Sequence, residues 1–494
     1  MSTLADLLPR RAAERGDAPA VSLDDAVLSW ADLDDRTARV AGLLRGGGLQ
    51  PGDRVAIVLP NLPHFPVVYF GALRAGAVVV PMNPLLHERE VRHHLTDSGA
   101  TWVFAWKDVA ERVAAGAEGT GARVVVVDPT DGGALLAGVD RDDAIHPAGD
   151  DDTAVLLYTS GTTGSPKGAE LSHRNLLSNA VTSHETLIQL GPDDVVLGAL
   201  PLFHAFGQTC AQNTALVGGA RLTLLPRFSA EAALRVVERD RVTRFLGVPT
   251  MYVALVHAPD SPADTSSLTR CISGGASLPV EVLKAFEERY GCAILEGYGL
   301  SETSPVASFN LPDRVRKPGS IGVPVRGCEM DLRTPDGAPT PEGEVGEIVI
   351  RGENVMKGYW RNESATRSAI DADGWFRSGD LARRDEDGYY TIVDRAKDMI
   401  IRSGYNVYPR EVEEVLYEHP AVEQAAVVGI PDDEHGEEIG AAVVLRAGHT
   451  ATEQELREHV AAALAAYKYP RRIWFVDDLP KGPTGKILKR EIKP

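Results

Sequence analysis

Cysteine is scarce in this sequence. The 494 residues contain four, Cys210, Cys271, Cys292 and Cys328, and none of them forms a CxxC pair. Four cysteines in so long a chain exclude a disulfide framework. We expect all four to be small, buried hydrophobic residues, which free cysteines commonly are, in a protein of a reducing compartment.

Long hydrophobic runs are absent as well. No apolar run approaches the roughly 18 residues of a membrane-spanning helix. The N-terminal segment carries Asp6, Arg10 and Arg11 where a secretory signal needs an apolar core. The last residues, 491–494, match neither a prenylation box nor a peroxisomal signal. We therefore expect a soluble, cytoplasmic protein without integral membrane association.

Positive charge is in deficit, since 51 Lys and Arg residues face 70 Asp and Glu residues and leave a net charge of −19. Such an acidic surface argues against nucleic-acid binding and against an anionic membrane surface. The C-terminal residues 468–494 reverse this balance, with eight basic and three acidic residues. They predict a basic arm that meets an anion.

Composition and length indicate a globular protein of several units. Apolar residues make up 44% and charged residues 24% of the chain, which is ordinary for folded proteins. Short apolar runs alternate with Ala- and Leu-rich stretches, which favours α/β layers with parallel strands. We predict an N-terminal domain over residues 1–394, with an α/β body to about 320 and a β-rich subdomain over 321–394. A small α+β C-terminal domain is predicted over 395–494.

Local patterns predict individual elements within these domains. Apolar and β-branched runs predict strands, and amphipathic Ala- and Leu-rich runs predict helices. Predicted strands cover residues 54–59, 154–157, 215–225, 347–351, 389–393, 425–430, 441–445 and 471–476. Predicted helices cover residues 230–239, 409–418 and 453–466, the last with Thr452 as its N-cap.

A phosphate-binding loop is predicted directly after the apolar strand over 154–157. Residues 158–168 read Tyr-Thr-Ser-Gly-Thr-Thr-Gly-Ser-Pro-Lys-Gly. Glycines let backbone N–H groups turn toward a phosphate, hydroxyls add donors, and Lys167 adds positive charge. The loop is not a Walker A motif, because Gly168 follows Lys167 in place of Ser or Thr.

Six further motifs follow this loop in order. With them the sequence resembles, over essentially its whole length, the adenylate-forming superfamily of acyl-CoA synthetases, peptide-synthetase adenylation domains and firefly luciferase. It is most similar to the fatty-acyl-CoA ligases. The further motifs are Pro201-Leu202-Phe203-His204, Ser273-Gly274-Gly275-Ala276, Tyr298-Gly299-Leu300-Ser301-Glu302-Thr303, Arg377-Ser378-Gly379-Asp380, Asp394-Arg395-Ala396-Lys397-Asp398 and Pro483-Thr484-Gly485-Lys486.

The resemblance implies a two-step ligase. A carboxylate attacks the α-phosphate of ATP to form an acyl adenylate and pyrophosphate, and the thiol of CoA then displaces AMP. Two anions must approach each other in the first step, so positive charge and Mg²⁺ are implied. An acyl carrier protein is the alternative acceptor, and a luciferase-like oxidative enzyme is a rival activity. A non-enzymatic binding protein would be expected to lose Lys486, Glu302 or Asp380, which are all present.

The resemblance also implies roles for individual residues in nucleotide binding. The loop would hold the β- and γ-phosphates, Glu302 would hold Mg²⁺, Tyr298 would stack on adenine, and Asp380 would accept hydrogen bonds from the ribose. The implied ATP-binding residues are Thr159, Ser160, Gly161, Thr162, Thr163, Gly164, Lys167, Gly274, Gly275, Ala276, Tyr298, Gly299, Ser301, Asp380 and Arg395. By composition alone Glu302 would read as a solvated acid and Tyr298 as a packing residue.

The remaining implied roles concern catalysis and the second step. The implied catalytic residues are Lys486, Glu302 and His204, with His204 at the gate between the adenylate site and the thiol tunnel. Lys397 would be the hinge about which the small domain rotates. The implied CoA-binding residues are Gly404, Tyr405, Lys468 and Arg472.

The acid itself is predicted to be a neutral monocarboxylate. Malonate-specific relatives place an arginine just before the Tyr-Gly of the motif at 298–303, and here that position is Gly297. We expect a fatty acid of medium or long chain, and aryl acids such as hydroxycinnamates are the alternative.

Overall fold

The computed structural model describes residues 3–130, 133–159, 166–259, 261–395, 397–403, 405–432, 435–482 and 485–493. Two mixed sheets flanked by helices form a large N-terminal body, and a four-stranded antiparallel sheet packs against it. A five-stranded sheet with two helices forms a small C-terminal domain. This arrangement confirms the predicted α/β fold class.

The N-terminal body begins with six strands and five helices. They are α1 (Leu4–Arg15), β1 (Pro19–Leu23), β2 (Ala26–Ser29), α2 (Trp30–Gly46), β3 (Arg54–Val58), α3 (His64–Ala75), β4 (Val78–Pro81), α4 (Glu88–Ser98), β5 (Ala100–Trp106), α5 (Ala110–Ala117) and β6 (Arg123–Val127). The body continues with β7 (Thr153–Thr159), β8 (Lys167–Ser172), α6 (His173–Thr182), β9 (Val195–Gly198), α7 (Thr214–Gly218), β10 (Arg221–Leu224), α8 (Ala230–Asp240), β11 (Arg244–Gly247), α9 (Pro249–Val256), β12 (Arg270–Ser273), α10 (Val280–Tyr290), β13 (Ile294–Gly299), β14 (Val306–Phe309) and β15 (Val323–Pro324).

The rest of the chain is richer in strands. Its elements are β16 (Cys328–Arg333), β17 (Gly346–Gly352), β18 (Gly358–Tyr359), α11 (Glu363–Ala369), β19 (Phe376–Arg384), β20 (Tyr390–Arg395), β21 (Ile400–Arg402), β22 (Tyr405–Val407), α12 (Pro409–Tyr417), β23 (Val422–Asp432), β24 (Gly436–Leu445), α13 (Glu453–Ala463) and β25 (Arg472–Phe475). Short 3₁₀ segments span Lys107–Val109, Ala134–Leu136, Ser301–Thr303 and Lys489–Glu491, and π-helical segments span Ser183–Ile188 and Phe206–Asn213.

Each large sheet has a parallel centre, and antiparallel strands complete both edges of the nine-stranded sheet but only the β18-β8 edge of the seven-stranded sheet. One sheet has the strand order β15-β14-β13-β12-β11-β9-β10-β1-β2, and the other has the order β18-β8-β7-β4-β3-β5-β6. Residues Val55 and Ile57 of β3 belong to one buried core, while Ala56 and Val58 belong to a second core on the opposite face. Burial on both faces explains why the parallel strands are continuous apolar runs.

The antiparallel sheet β16-β17-β19-β20 shares the core of the body, whereas the sheet of β21 to β25 has a core of its own. The latter core contains Val412 and Leu416 of α12 and Val460 of α13. A separate hydrophobic core is typical of a separate domain.

One predicted strand is wrong. Residues 215–225 are not a single strand, because α7 occupies Thr214–Gly218 before β10 begins at Arg221. Gly219 has a φ of 67°, a left-handed conformation that ends the helix between the two. The other predicted elements are found with shifted ends, and the Thr452 hydroxyl caps α13 by accepting a hydrogen bond from Glu455 N–H.

The cysteines are free thiols, and three of the four are buried as expected. Cys210, Cys271 and Cys292 are buried and Cys328 is half-buried, and all four are free. Over the described ranges, no helix is both long enough and apolar enough to cross a membrane.

Candidate active site

The antiparallel strands β7 and β8 carry the two ends of the predicted phosphate loop. Thr159 closes β7 and Lys167 opens β8, and the two residues are directly paired. The loop residues between them, Ser160, Gly161, Thr162, Thr163 and Gly164, lie outside the described residues. Thr159, at one end of the loop, therefore lies at the carboxyl end of β7, a strand that pairs with β4 in parallel, and ligands of α/β sheets bind at such ends.

Glu302 lies directly beside this hairpin. The 3₁₀ segment after β13 places its carboxylate so that Oε1 accepts hydrogen bonds from Thr159 Oγ1, at 3.1 Å, and from the Tyr359 hydroxyl, at 3.0 Å. Glu302 is 8% exposed. The ammonium of Lys167 lies 5.3 Å from the ring centroid of Tyr359. Tyr359 belongs to none of the recognised motifs, so no sequence signal pointed to it.

A second cluster forms where β13 faces the antiparallel sheet. The Tyr298 hydroxyl donates to Asp380 Oδ2 at 2.6 Å, and Arg395 Nε lies 3.1 Å from Asp380 Oδ1. Asp380 on β19 and Arg395 on β20 are paired across the sheet. Burial, together with the Asp380 charge, raises the pKa of Tyr298 well above its usual value, so the phenol stays a donor.

Small residues and aromatic rings lie next to the strand that carries Tyr298. Gly274 and Gly275 follow β12, and Gly275 has a φ of 82° that favours glycine. A Cβ on Gly274 would lie 3.2 Å from the Phe206 ring. A Cβ on Gly297 would overlap the Phe309 ring at 2.2 Å. Position 297 is therefore closed to any longer side chain unless Phe309 moves.

Two further small residues, Ala276 and Gly299, are among those predicted to bind ATP. Ala276 continues the Gly274-Gly275 turn, and Gly299 lies so close to Pro305 that a Cβ would fall 1.9 Å from its carbonyl oxygen. Ser301 opens the 3₁₀ segment that carries Glu302. The structure thus brings the predicted residues of both motifs to one edge of the nine-stranded sheet.

Lys486 reaches this space from the C-terminal domain. Burial and the neighbouring Arg395 guanidinium lower the pKa of Lys486 to about 8. Burial and the Lys486 charge lower the pKa of His204 to about 4, so its imidazole is neutral at pH 7. The Thr250 hydroxyl donates to the Gly485 carbonyl at 3.0 Å. Lys486, His204 and Arg395 are therefore electrostatically coupled in one site.

The predicted hinge residue lies in a tight turn after β20. The N–H groups of Asp398 and Met399 both donate to the Arg395 carbonyl, at 3.0 and 3.1 Å. Lys397 itself is exposed within this turn. The turn separates the antiparallel sheet from the core of the C-terminal domain, which is where a hinge would act.

The predicted CoA-binding residues lie on the C-terminal domain. Gly404 is outside the described residues. Tyr405 is 58% exposed and stacks on Tyr467 at 4.8 Å. Lys468 lies 5.7 Å from the Tyr467 ring and pairs with Glu411 at 2.6 Å, so its charge is partly compensated. Arg472 is exposed at the start of β25. Tyr467, which contacts both Tyr405 and Lys468, lies outside the recognised motifs.

A divalent cation fits this site only with help from a ligand. Among the described residues, no group of three or more His, Cys, Asp or Glu side chains could hold a metal ion. Mg²⁺ commonly binds through one or two carboxylates plus the phosphate oxygens of a nucleotide. The buried carboxylate of Glu302, beside the phosphate loop, has the chemistry of such a partial ligand.

Comparison with known proteins gives matches over nearly the whole chain. A model of the family described as AMP-binding enzyme matches residues 8–360, and one described as AMP-binding enzyme C-terminal domain matches residues 411–486. A feruloyl-CoA synthase from Amycolatopsis sp. is 43% identical, with 98% of this chain and 97% of that protein covered.

Two further relatives differ in the acid that their names state. A long-chain-fatty-acid–CoA ligase from Bacillus subtilis (strain 168) is 36% identical over 99% of this chain and 94% of its own length. The crystal structure of a benzoate CoA ligase from Burkholderia xenovorans LB400 superposes with a TM-score of 0.92 at 34% identity, covering 99% of both chains.

Proposed function

The chain belongs to the AMP-binding enzyme family, and from this premise we propose that it is an AMP-forming acyl-CoA ligase. The observation that carries the proposal is a cluster of charges from two domains, in which Arg395 pairs with Asp380 and interacts electrostatically with Glu302 and with Lys486. The relatives named above are CoA ligases, which supports CoA over an acyl carrier protein as the acceptor.

In the first half-reaction an oxygen of the carboxylic acid attacks the α-phosphorus of ATP, and the bond to pyrophosphate breaks. Thr159, Lys167 and the loop between them would hold the β- and γ-phosphates. Asp380 would accept the ribose hydroxyls, while Tyr298 would pack on adenine between Gly274, Gly275, Ala276 and Gly299. Glu302 would hold Mg²⁺, which neutralises phosphate charge when bound.

Lys486 supplies a positive charge for this step. Its pKa of about 8 leaves most molecules protonated at pH 7. Its flexible stem suits contact with both the α-phosphate and the attacking carboxylate. Arg395 adds a permanent charge from the domain border, and Ser301 adds a hydroxyl donor. These groups offset the repulsion between two anions, which is the main barrier to adenylation.

In the second half-reaction the thiol sulfur of CoA attacks the acyl carbonyl carbon, the thiol proton leaves to solvent, and the bond to AMP breaks. We propose that the small domain rotates about Lys397 for this step. Gly404 and Tyr405 would flank the pantetheine arm near the gate at His204. Lys468 and Arg472 would meet the phosphates of CoA.

We propose a neutral, planar aryl acid of the hydroxycinnamate type as the substrate. The Phe206 ring beside Gly274 would favour a flat partner, because aromatic rings stack with a gain beyond area burial. The feruloyl-CoA synthase relative supports the same choice. A fatty acid is the second candidate, supported by the apolar lining and by the long-chain relative.

The test is a screen of pyrophosphate release with ferulate, benzoate, octanoate, decanoate and malonate, each with and without CoA. We expect kcat/KM to be highest for ferulate and near background for malonate. A second carboxylate in an apolar pocket costs several kcal/mol, and about 1.4 kcal/mol is tenfold in specificity. Decanoate exceeding ferulate would select the second candidate. If the parent protein releases no more pyrophosphate than the Lys486→Ala variant with every acid, the ligase proposal is wrong.

A further inference from the structure

Tyr359 occupies a position that none of the assigned roles explains. It lies on β18, a two-residue strand at the edge of the seven-stranded sheet, and is paired with Ala169 of β8. Its N–H donates to Thr366 Oγ1 at 2.9 Å. The first contact fixes the residue against the strand that begins at Lys167, and the second fixes it against α11. The side chain is half-buried and reaches across the hairpin toward Glu302.

The hydroxyl of Tyr359 restrains one oxygen of a carboxylate. It donates to Glu302 Oε1 at 3.0 Å, and Thr159 Oγ1 donates to the same oxygen at 3.1 Å. Over the described parts of the chain, no group donates a hydrogen bond to Oε2. Two donors on one oxygen set the plane of the carboxylate and leave the second oxygen available to a cation.

The bond between Tyr359 and Glu302 joins a phenol donor to a carboxylate acceptor. A hydrogen bond to a charged acceptor is stronger than one between neutral groups. Tyr359 is therefore the donor of a charge-assisted bond.

The ring of Tyr359 restrains a cation at the same time. Lys167 Nζ lies 5.3 Å from the ring centroid, within the range of a cation–π contact. Among the described residues, Lys167 does not form an ion pair with Glu302, although Tyr359 contacts both. A direct ion pair would turn each charge toward the other and away from a nucleotide. The ring keeps the two charges available separately.

From these contacts we propose that Tyr359 is a positioning residue for adenylate formation, which orients Glu302 toward a Mg²⁺–triphosphate and holds Lys167 apart from it. This inference rests on the proposed ligase function. It assigns the hydroxyl to the metal-dependent part of nucleotide binding and the ring to the placement of the lysine.

The test compares Tyr359→Phe, which removes only the hydroxyl, with Tyr359→Leu, which also removes the ring. Tyr290→Phe is the matched control, because its half-buried hydroxyl donates to the Leu255 carbonyl at 2.8 Å, outside the candidate site. Calorimetry would measure ATP affinity with Mg²⁺ and with EDTA in the full-length protein. ATP–pyrophosphate exchange would give the Mg²⁺ concentration for half-maximal rate.

For Tyr359→Phe we expect about a tenfold loss of affinity for Mg²⁺–ATP and a matching rise in the half-maximal Mg²⁺ concentration. Its affinity for ATP in EDTA should stay within about twofold of the parent, since the ring still supports Lys167. Tyr359→Leu should lose affinity in both conditions. Thermal unfolding of all three variants reports whether they fold.

Two results for Tyr359→Phe would contradict this role. A Tyr359→Phe variant that matches Tyr290→Phe in every measurement, or that weakens ATP equally with and without Mg²⁺, would overturn the inference. If the parent protein exchanges pyrophosphate with none of the acids, the proposed function fails instead. If the parent catalyses ATP–pyrophosphate exchange and Tyr359→Phe has the same half-maximal Mg²⁺ concentration as the parent, only the role of Tyr359 is refuted.

Discussion

The N-terminal body and the C-terminal domain contribute charges to the candidate site in different ways. Glu302 and Asp380 each have two side-chain partners within the N-terminal part of the chain, up to Arg395. Lys486 comes from the C-terminal domain, and Gly485 before it accepts a single hydrogen bond from Thr250. Strand pairing places Asp380, and hydrogen bonds from two strands hold Glu302 on its 3₁₀ segment, whereas the lysine is placed by how two domains dock.

Polar side chains bridge the two domains, and Tyr417 of α12 adds an apolar contact with the core of the N-terminal body. The Arg410 guanidinium on α12 donates to the carbonyls of Ile392, at 2.7 Å, and Gly319, at 3.1 Å. The Val280 N–H donates to Glu414 at 3.3 Å. Such polar contacts are typical of interfaces that exchange one arrangement for another. If the C-terminal domain moves between the two steps, changes at Lys486 and at the hinge should affect different half-reactions.

The largest effect is expected for Lys486→Ala. Loss of the charge should lower adenylate formation roughly a hundred- to a thousandfold, because the attack of one anion on another is no longer offset. Thioester formation from synthetic acyl-AMP and CoA should stay near the parent rate. Stopped assays of the two half-reactions would check this, and comparable losses in both would contradict the separate role of the lysine.

Lys397→Pro should show the reverse pattern. Proline fixes φ near −65°, so a hinge that must change its backbone angles is locked. Thioester formation should fall about a hundredfold, since the thiol would be misplaced. Pyrophosphate release should remain. Equal losses in the two half-reactions would mean that the turn is not the hinge, and a circular dichroism spectrum like that of the parent serves as the folding control.

The pH dependence should follow the same division. The pKa of Lys486 is lowered to about 8, and its charged form is the active one. We expect kcat/KM for ATP to be flat around pH 7 and to fall above pH 8, approaching a tenfold loss per pH unit. The rate of thioester formation from acyl-AMP should not show this fall above pH 8. An adenylation profile that stays flat to pH 10 would refute the requirement for a protonated lysine.

The smallest effect is expected for Thr250→Val, which removes the hydroxyl that docks Gly485. A hydrogen bond of this kind contributes about 1 kcal/mol, so adenylation should slow about fivefold. Thioester formation should be unaffected or faster, because the variant weakens only the docked arrangement. A variant with unchanged rates in both steps would show that other contacts place Lys486. Thr269→Val, at a hydroxyl that lies away from the domain interface, is a suitable control.

Local sequence determines many elements of this protein. The apolar run at 54–59 contains β3 because both faces of that strand are buried, and Thr452 starts α13 because its hydroxyl satisfies a free N–H. The strand predicted at 215–225 is wrong because the apolar pattern of a short buried helix and that of a strand are alike. There Gly219, in a left-handed conformation, divides a helix from a strand.

The candidate site depends on contacts that no local pattern carries. The motifs name Glu302, Asp380 and Lys486, but Tyr359 lies 57 residues from Glu302, and Thr250 lies 235 residues from Gly485. The motif comparison points to Gly297 as a position without an arginine, but only the tertiary structure places the Phe309 ring where a longer side chain would lie. Sequence alone determined the family chemistry and the parallel strands, since both follow from short runs of residues. Tertiary structure decided which side chains hold those groups, because such partners meet only when distant strands pair and the two domains dock.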